Sequence, residues 1–146
     1  SDGDPAAAPA LATELRCLMW THAGLLRDGE GLSEAAAGIA ALRRRAAALR
    51  AGGLRGDALG AALDLPNLLL SAEATVRSAL RRTESRGAHQ RLDHPETDPA
   101  WRRTIVCRLE DDAIALHDQP LAEPSAELAG ALRAAEGVLV THHGLE

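Results

Sequence analysis

The chain has 146 residues, 46% of them hydrophobic, and a formal net charge of -5, enough for one domain with a core of its own. The acidic balance disfavours nucleic acid, because phosphate binding needs a basic face, and no apolar run approaches the roughly 18 residues of a membrane span. Two distant cysteines, Cys17 and Cys107, form neither a CxxC pair nor a disulfide framework, which suits a reducing, cytoplasmic setting. Met19 is the only methionine, the chain opens Ser1-Asp2-Gly3 and it closes Leu145-Glu146 in the manner of a cloning scar. The expectation is a piece excised from a longer protein.

Residues 1–9, SDGDPAAAP, read as a disordered leader rich in Pro and Ala. Residues 10–99 read as a helical bundle. A first helix is expected from Ala10 to His22, where Leu11, Leu15, Leu18, Met19 and His22 recur at steps of three and four. Gly24 is placed to end it, and Asp28 or Ser33 to cap the next. The second helix, Leu32 to Ala51, lines Leu32, Ala35, Ala36, Ile39, Leu42, Ala46 and Leu49 along one face. Its Arg43-Arg44-Arg45 run reads as a solvated helix face, since no interleaved aromatics accompany it. Helix resumes near Asp57, and Pro66 either kinks it or opens a fresh first turn. Leu65, Leu68, Leu69, Ala72, Val76, Ala79 and Leu80 then make the cleanest stripe of the sequence.

Short links between three such helices predict an all-α, up-down-up three-helix bundle, spectrin-repeat-like, with a small C-terminal hairpin or extended tail. Residues 100–146 form that tail. Thr104–Leu109 and Ala113–Leu116 are separated by Glu110-Asp111-Asp112, a modest hairpin signal. A short helix is expected over 125–136, with loose chain after it.

Between bundle and tail lies Glu84-Ser85-Arg86-Gly87-Ala88-His89-Gln90-Arg91-Leu92-Asp93-His94-Pro95-Glu96. Charges this dense would be buried without enough partners, so the segment cannot be core, leaving a solvated loop or a polar docking surface. Ser85 with His89 has the residue types of a nucleophile and base, but no orienting acid or oxyanion turn accompanies them, and Ser85 also suits a turn. His89, Asp93, His94 and His142-His143 lack the paired cysteines or HExxH spacing of a zinc site. No GxGxxG follows a strand, so no dinucleotide fingerprint is present.

The ESRGAHQRLDHPE run, followed by Asp98 and Trp101, resembles the ESRGAH-x-R-x-D-x-P-E motif in the C-terminal helical domain of one flavoprotein family. That family comprises L-aspartate oxidase and the flavoprotein subunits of succinate dehydrogenase and fumarate reductase. Glu14-Leu15-Arg16, Met19-Trp20 and Ala23 to Asp28, then Asn67-Leu68-Leu69 and Ala72-Glu73, match in order, so the likeness runs from about Glu14 to about Leu116. The LR-x-x-MW opening and NLL...AE most resemble L-aspartate oxidase, whereas GAHQRLD also occurs in fumarate reductase flavoproteins.

The resemblance implies a parent that is an FAD-dependent oxidoreductase. On the favoured reading it oxidises L-aspartate to iminoaspartate in de novo NAD biosynthesis, with FAD held by a flavin-binding domain outside this chain. The alternative parent, a fumarate reductase or succinate dehydrogenase flavoprotein, implies a partner in the form of an iron–sulfur subunit. A non-catalytic helical interaction module is a third reading. No catalytic, cofactor-binding or metal residue of the family maps onto this chain, which alone is expected to be inactive. Glu84, Ser85, Arg86, Gly87, His89, Arg91 and Asp93 are expected to dock the domain on the flavin-binding part.

Overall fold

The structure, a computed structural model, describes residues 3–142. Ser1 and Asp2 of the expected leader lie outside the described residues, as do His143 and the closing Leu145-Glu146. Helix α1 (Ala7–His22) begins within the segment read as leader and buries Ala8, Leu11, Ala12 and Leu15. The extended pair β1 (Leu26–Arg27) links it to α2 (Gly29–Ala47), whose N-cap Asp28 accepts the Gly31 N–H at 2.7 Å. This bond satisfies one of the donors left orphaned at a helix start.

Helix α3 (Gly56–Arg81) runs unbroken through Pro66. The proline removes the N–H that would have reached the carbonyl four residues back and crowds that carbonyl with its ring, yet the helix continues on both sides. The three helices contact one another pairwise around a core that includes Leu11, Leu15, Leu32, Ile39, Leu65, Leu69 and Val76. Gly38 allows the close approach of α1 and α2, because a Cβ there would lie 2.7 Å from the Leu18 side chain. Arg43 and Arg45 reach across to Glu73 and Glu14, while Arg44 stays exposed.

The expectation of an all-α three-helix bundle is overturned. There are four helices and two two-stranded sheets among the described residues. In the first sheet β1 pairs in parallel with β2 (Gln90–Arg91), Leu26 opposite Gln90 and Arg27 opposite Arg91. A strand of two residues leaves no periodicity in a sequence. It forms because the backbone between α1 and α2 must pair its polar groups, and the motif loop offers the partner. After a 3-10 turn (Pro99–Trp101), β3 (Arg103–Glu110) and β4 (Ala113–Pro120) form the second sheet, antiparallel. Asp111 and Asp112 turn the chain with φ of 49° and 61°, the left-handed pair of a type I′ hairpin.

Ile114 is buried, and the hairpin is tied to α3 by Arg81–Asp118 at 2.8 Å and Ser78–Cys107 at 3.0 Å. The fourth helix, α4 (Ala126–His142), continues past the expected 125–136 span. The stripe on α3 needs a second correction. Leu65, Leu69, Ala72, Val76 and Ala79 are buried, but Leu68 is 42% exposed. One residue before Leu69, it sits about 100° around the helix, away from α1 and α2.

Candidate functional site: a buried charge network in the motif loop

The motif loop leaves the C-terminus of α3 and folds back on it. Glu84 is fully buried, and its carboxylate accepts four hydrogen bonds. Oε1 takes Arg82 Nη1 at 2.6 Å and Arg86 Nε at 2.9 Å, while Oε2 takes Arg86 Nη2 at 3.0 Å and the Asp98 N–H at 2.8 Å. These donors, Arg86 foremost, bring the Glu84 carboxyl from the ordinary 4.5 down to about 2, against the opposing effect of burial. The same pairing raises the Arg86 guanidinium above its usual value.

Arg91 is 3% exposed and bonds in two directions. Nη1 donates to the carbonyls of Ala79, Leu80 and Arg82 at 2.9, 3.3 and 3.2 Å, closing the end of α3. Such carbonyls have no partner within their own helix, and a cation there also meets the negative end of the helix dipole. Nε and Nη2 grip Asp93 side-on, both at 2.7 Å, the bidentate geometry that favours arginine over lysine. Asp93 also accepts the Gly29 N–H at 3.0 Å, at the start of α2. Arg91, and then that N–H, hold its carboxyl well below the usual aspartate range. One ion pair thereby joins the end of α3 to the beginning of α2.

Ser85 and Gly87 set the backbone of the loop. The buried Ser85 hydroxyl accepts the Arg91 N–H at 2.8 Å and donates to the His94 carbonyl at 2.8 Å. None of its bonds involves an imidazole, so Ser85 and His89 are not a nucleophile and base. Arg86 and His89 exchange backbone bonds of 2.8 and 3.0 Å around Gly87, whose φ of +56° lies in the region that favours glycine.

His89 lies between arginines. Arg27 Nη1 can only donate, so it places the His89 Nδ1 lone pair at 3.2 Å, and His89 Nε2 carries the proton toward the Arg82 carbonyl at 3.3 Å. Burial, then the field of Arg27, Arg91 and Arg82, pushes the imidazole below its usual range, partly offset by the bond to the Arg82 carbonyl.

Contrary to the expectation that this segment cannot be core, Glu84, Ser85 and Arg91 are buried. The charges have partners enough in one another, Glu84 in Arg82 and Arg86 and Arg91 in Asp93. Arg82, the C-cap residue of α3, belongs to the same network. This side chain donates to Glu84 and to the carbonyls of Trp101 and Arg103, and its guanidinium lies 5.3 Å from the Trp101 ring centroid. The visible sign was an arginine two residues before the motif glutamate. Arg27 was legible only as part of the matched stretch ending at Asp28.

Nothing in the described residues fits FAD. The only parallel strands there are the two-residue β1 and β2, so no βαβ unit offers a cradle for a pyrophosphate. Groups of three or more His, Cys, Asp or Glu side chains able to hold a metal ion are likewise absent among the described residues.

Residues 12–129 match the family described as fumarate reductase flavoprotein C-term. Over 96 residues, 64% of the chain, it is 40% identical to one subunit of the fumarate reductase (CoM/CoB) of Methanothermobacter marburgensis, of which it covers 17%. It is 41% identical over 96 residues, 66% of the chain, to the L-aspartate oxidase of Rhodospirillum rubrum, of which it covers 30%. The structure of Mycobacterium smegmatis Sdh1 superposes on 89% of the chain with a TM-score of 0.78 at 28% identity, this chain covering 23% of that one. Quinol fumarate reductase FrdA of E. coli superposes on 78% of the chain, with a TM-score of 0.69 at 25% identity and 21% of that chain covered. The chain therefore spans less than a third of each of these relatives, and it belongs to the C-terminal domain family of the FAD-dependent flavoproteins that include fumarate reductase, succinate dehydrogenase and L-aspartate oxidase.

Proposed function

We propose that the chain is the C-terminal domain of the flavoprotein subunit of a fumarate reductase or succinate dehydrogenase, with no catalytic activity on its own. The superposition on Mycobacterium smegmatis Sdh1 carries this reading, because 89% of the chain takes part in it. The parent then carries FAD in another domain and works with an iron–sulfur subunit. Both cysteines are free and exposed, which suits a reducing cytoplasm, and no helix among the described residues is long and apolar enough to cross a membrane.

In this reading the motif face packs on the flavin-binding domain. Arg86 is partly exposed beside Gly87, around whose Cβ position there is open space. Trp20, Leu25, Leu26 and Leu92, on and around β1 and β2, are 60% or more exposed. Large apolar side chains grouped at one end of a bundle are characteristic of an interface.

The second reading, L-aspartate oxidase, rests on the 41% identity to the Rhodospirillum rubrum enzyme and on further L-aspartate oxidases at 33–39%. The test is to assay the full-length protein with succinate, fumarate and L-aspartate. Interconversion of succinate and fumarate with no turnover of aspartate supports the first reading. Oxidation of L-aspartate as the main activity replaces it with the second.

A further inference from the structure

On the side of the motif loop facing the hairpin, α3, β3 and the loop enclose an open recess of about 390 Å³. Arg27, Arg82, Arg103, His89, Thr75 and Thr104 line it with three small or apolar neighbours, and none of its lining residues is acidic. The carboxylates nearby are oversubscribed. Glu84 is shared by Arg82 and Arg86, and Asp118 by Arg81 and Arg103. Arg27 is half-buried, held by Nε to the Gly24 carbonyl at 2.7 Å and by Nη1 to His89, and pairs with no carboxylate among the described residues. The side chains of three arginines thus line one recess on a chain whose net charge is -5. The Arg82 and Arg103 guanidinium groups also stack on Trp101, 5.3 and 5.2 Å from its ring centroid, and Arg103 donates to the Ala100 carbonyl at 2.8 Å.

We propose that this recess is a binding site for a carboxylate, taken up against Arg27, Arg82 and Arg103. Guanidinium forks match a carboxylate in shape and charge, and a basic concavity draws anions toward it. Phosphate suits the place less well. Phosphate sites draw on helix N-termini or glycine nests, whereas no glycine and no helix N-terminus lines this recess. His89 fixes the geometry of Arg27. The volume takes either a small dicarboxylate or the acidic side chains of a polypeptide, and the site belongs to this chain whatever the parent enzyme acts on.

The test is a titration of the 146-residue chain with sodium malonate at ionic strength held constant by sodium chloride, following the His89 ring protons by NMR. The site requires a saturable shift at His89. It should weaken by about tenfold or more, equivalent to about 1.4 kcal/mol, in Arg27→Gln and in Arg103→Gln, and persist in Arg44→Gln. A hexaglutamate peptide binding more tightly than malonate identifies a polypeptide as the source of the carboxylate, and the reverse order identifies a small free acid. A linear shift, a shift undiminished in Arg27→Gln and Arg103→Gln, or tighter binding of inorganic phosphate than of malonate contradicts the proposal.

Discussion

Glu84 has the most to lose on protonation, since it is fully buried and compensates two arginines and a backbone N–H. Its carboxyl is lowered in the folded chain from 4.5 to about 2. A depressed carboxylate contributes stability that is complete above its unfolded value and disappears as pH falls through the folded one. The window therefore runs from about 4.5 down to about 2. Denaturation midpoints of the native chain and Glu84→Gln should lie well apart near neutral pH and converge through that window; a constant gap would mean that Glu84 is not buried as a carboxylate. Arg91→Ala should cost about 1–3 kcal/mol, because it leaves the buried carbonyls at the end of α3 without their donor, while the 37% exposed Asp93 is screened by solvent. Arg44→Ala, at an exposed position, should stay within about 0.5 kcal/mol. Arg86 differs from Arg91 in being partly exposed. If the motif face docks on a flavin-binding domain, Arg86→Ala should lower the Tm of the full-length protein more than that of the chain alone.

At the scale of elements, the two leucines side by side on α3 separate burial from hydrophobicity. Leu69→Ala should cost about 2–5 kcal/mol, as for other cavity-forming core changes. Leu68→Ala, at a 42% exposed position, should stay within about 0.5 kcal/mol in the chain alone. Equal urea midpoints for the two would place the wrong face inward. The hairpin turn is the converse case. Asp111 and Asp112 both hold positive φ, and Asn-Gly in their place should stabilise the chain by about 0.5–1 kcal/mol, seen as a raised Tm.

These elements also show which features a sequence can carry. Leu32, Ile39, Leu65 and Val76 announce their helices because burial repeats with the helical period. Leu68 misleads because an interval of three or four residues allows more than one face. β1 and β2 were invisible, since two paired residues have no period. The loop was legible as a motif but not as a buried one, because Glu84 and Arg91 find their partners through tertiary contacts.

At the scale of the molecule, the three-helix core and the hairpin meet at the motif loop. Arg91 and Asp93 tie α3 to α2, and Arg82 ties α3 to Trp101 and β3. The family motif is in this account first a fold determinant of the domain itself, with its remaining exposed groups free for contact. The direct measurement is amide hydrogen exchange over residues 84–98 in the chain alone. The Ser85, Arg86, Arg91, Leu92 and Asp98 amides bond to the Glu96 carbonyl, the His89 carbonyl, the Ser85 hydroxyl, the Arg27 carbonyl and the Glu84 carboxylate respectively. They should exchange as slowly as amides in the middle of α2 and α3, and Arg91→Ala should release them together. Exchange at the rate of an unstructured peptide, unaltered by that substitution, would return the motif to a solvated loop and contradict the account.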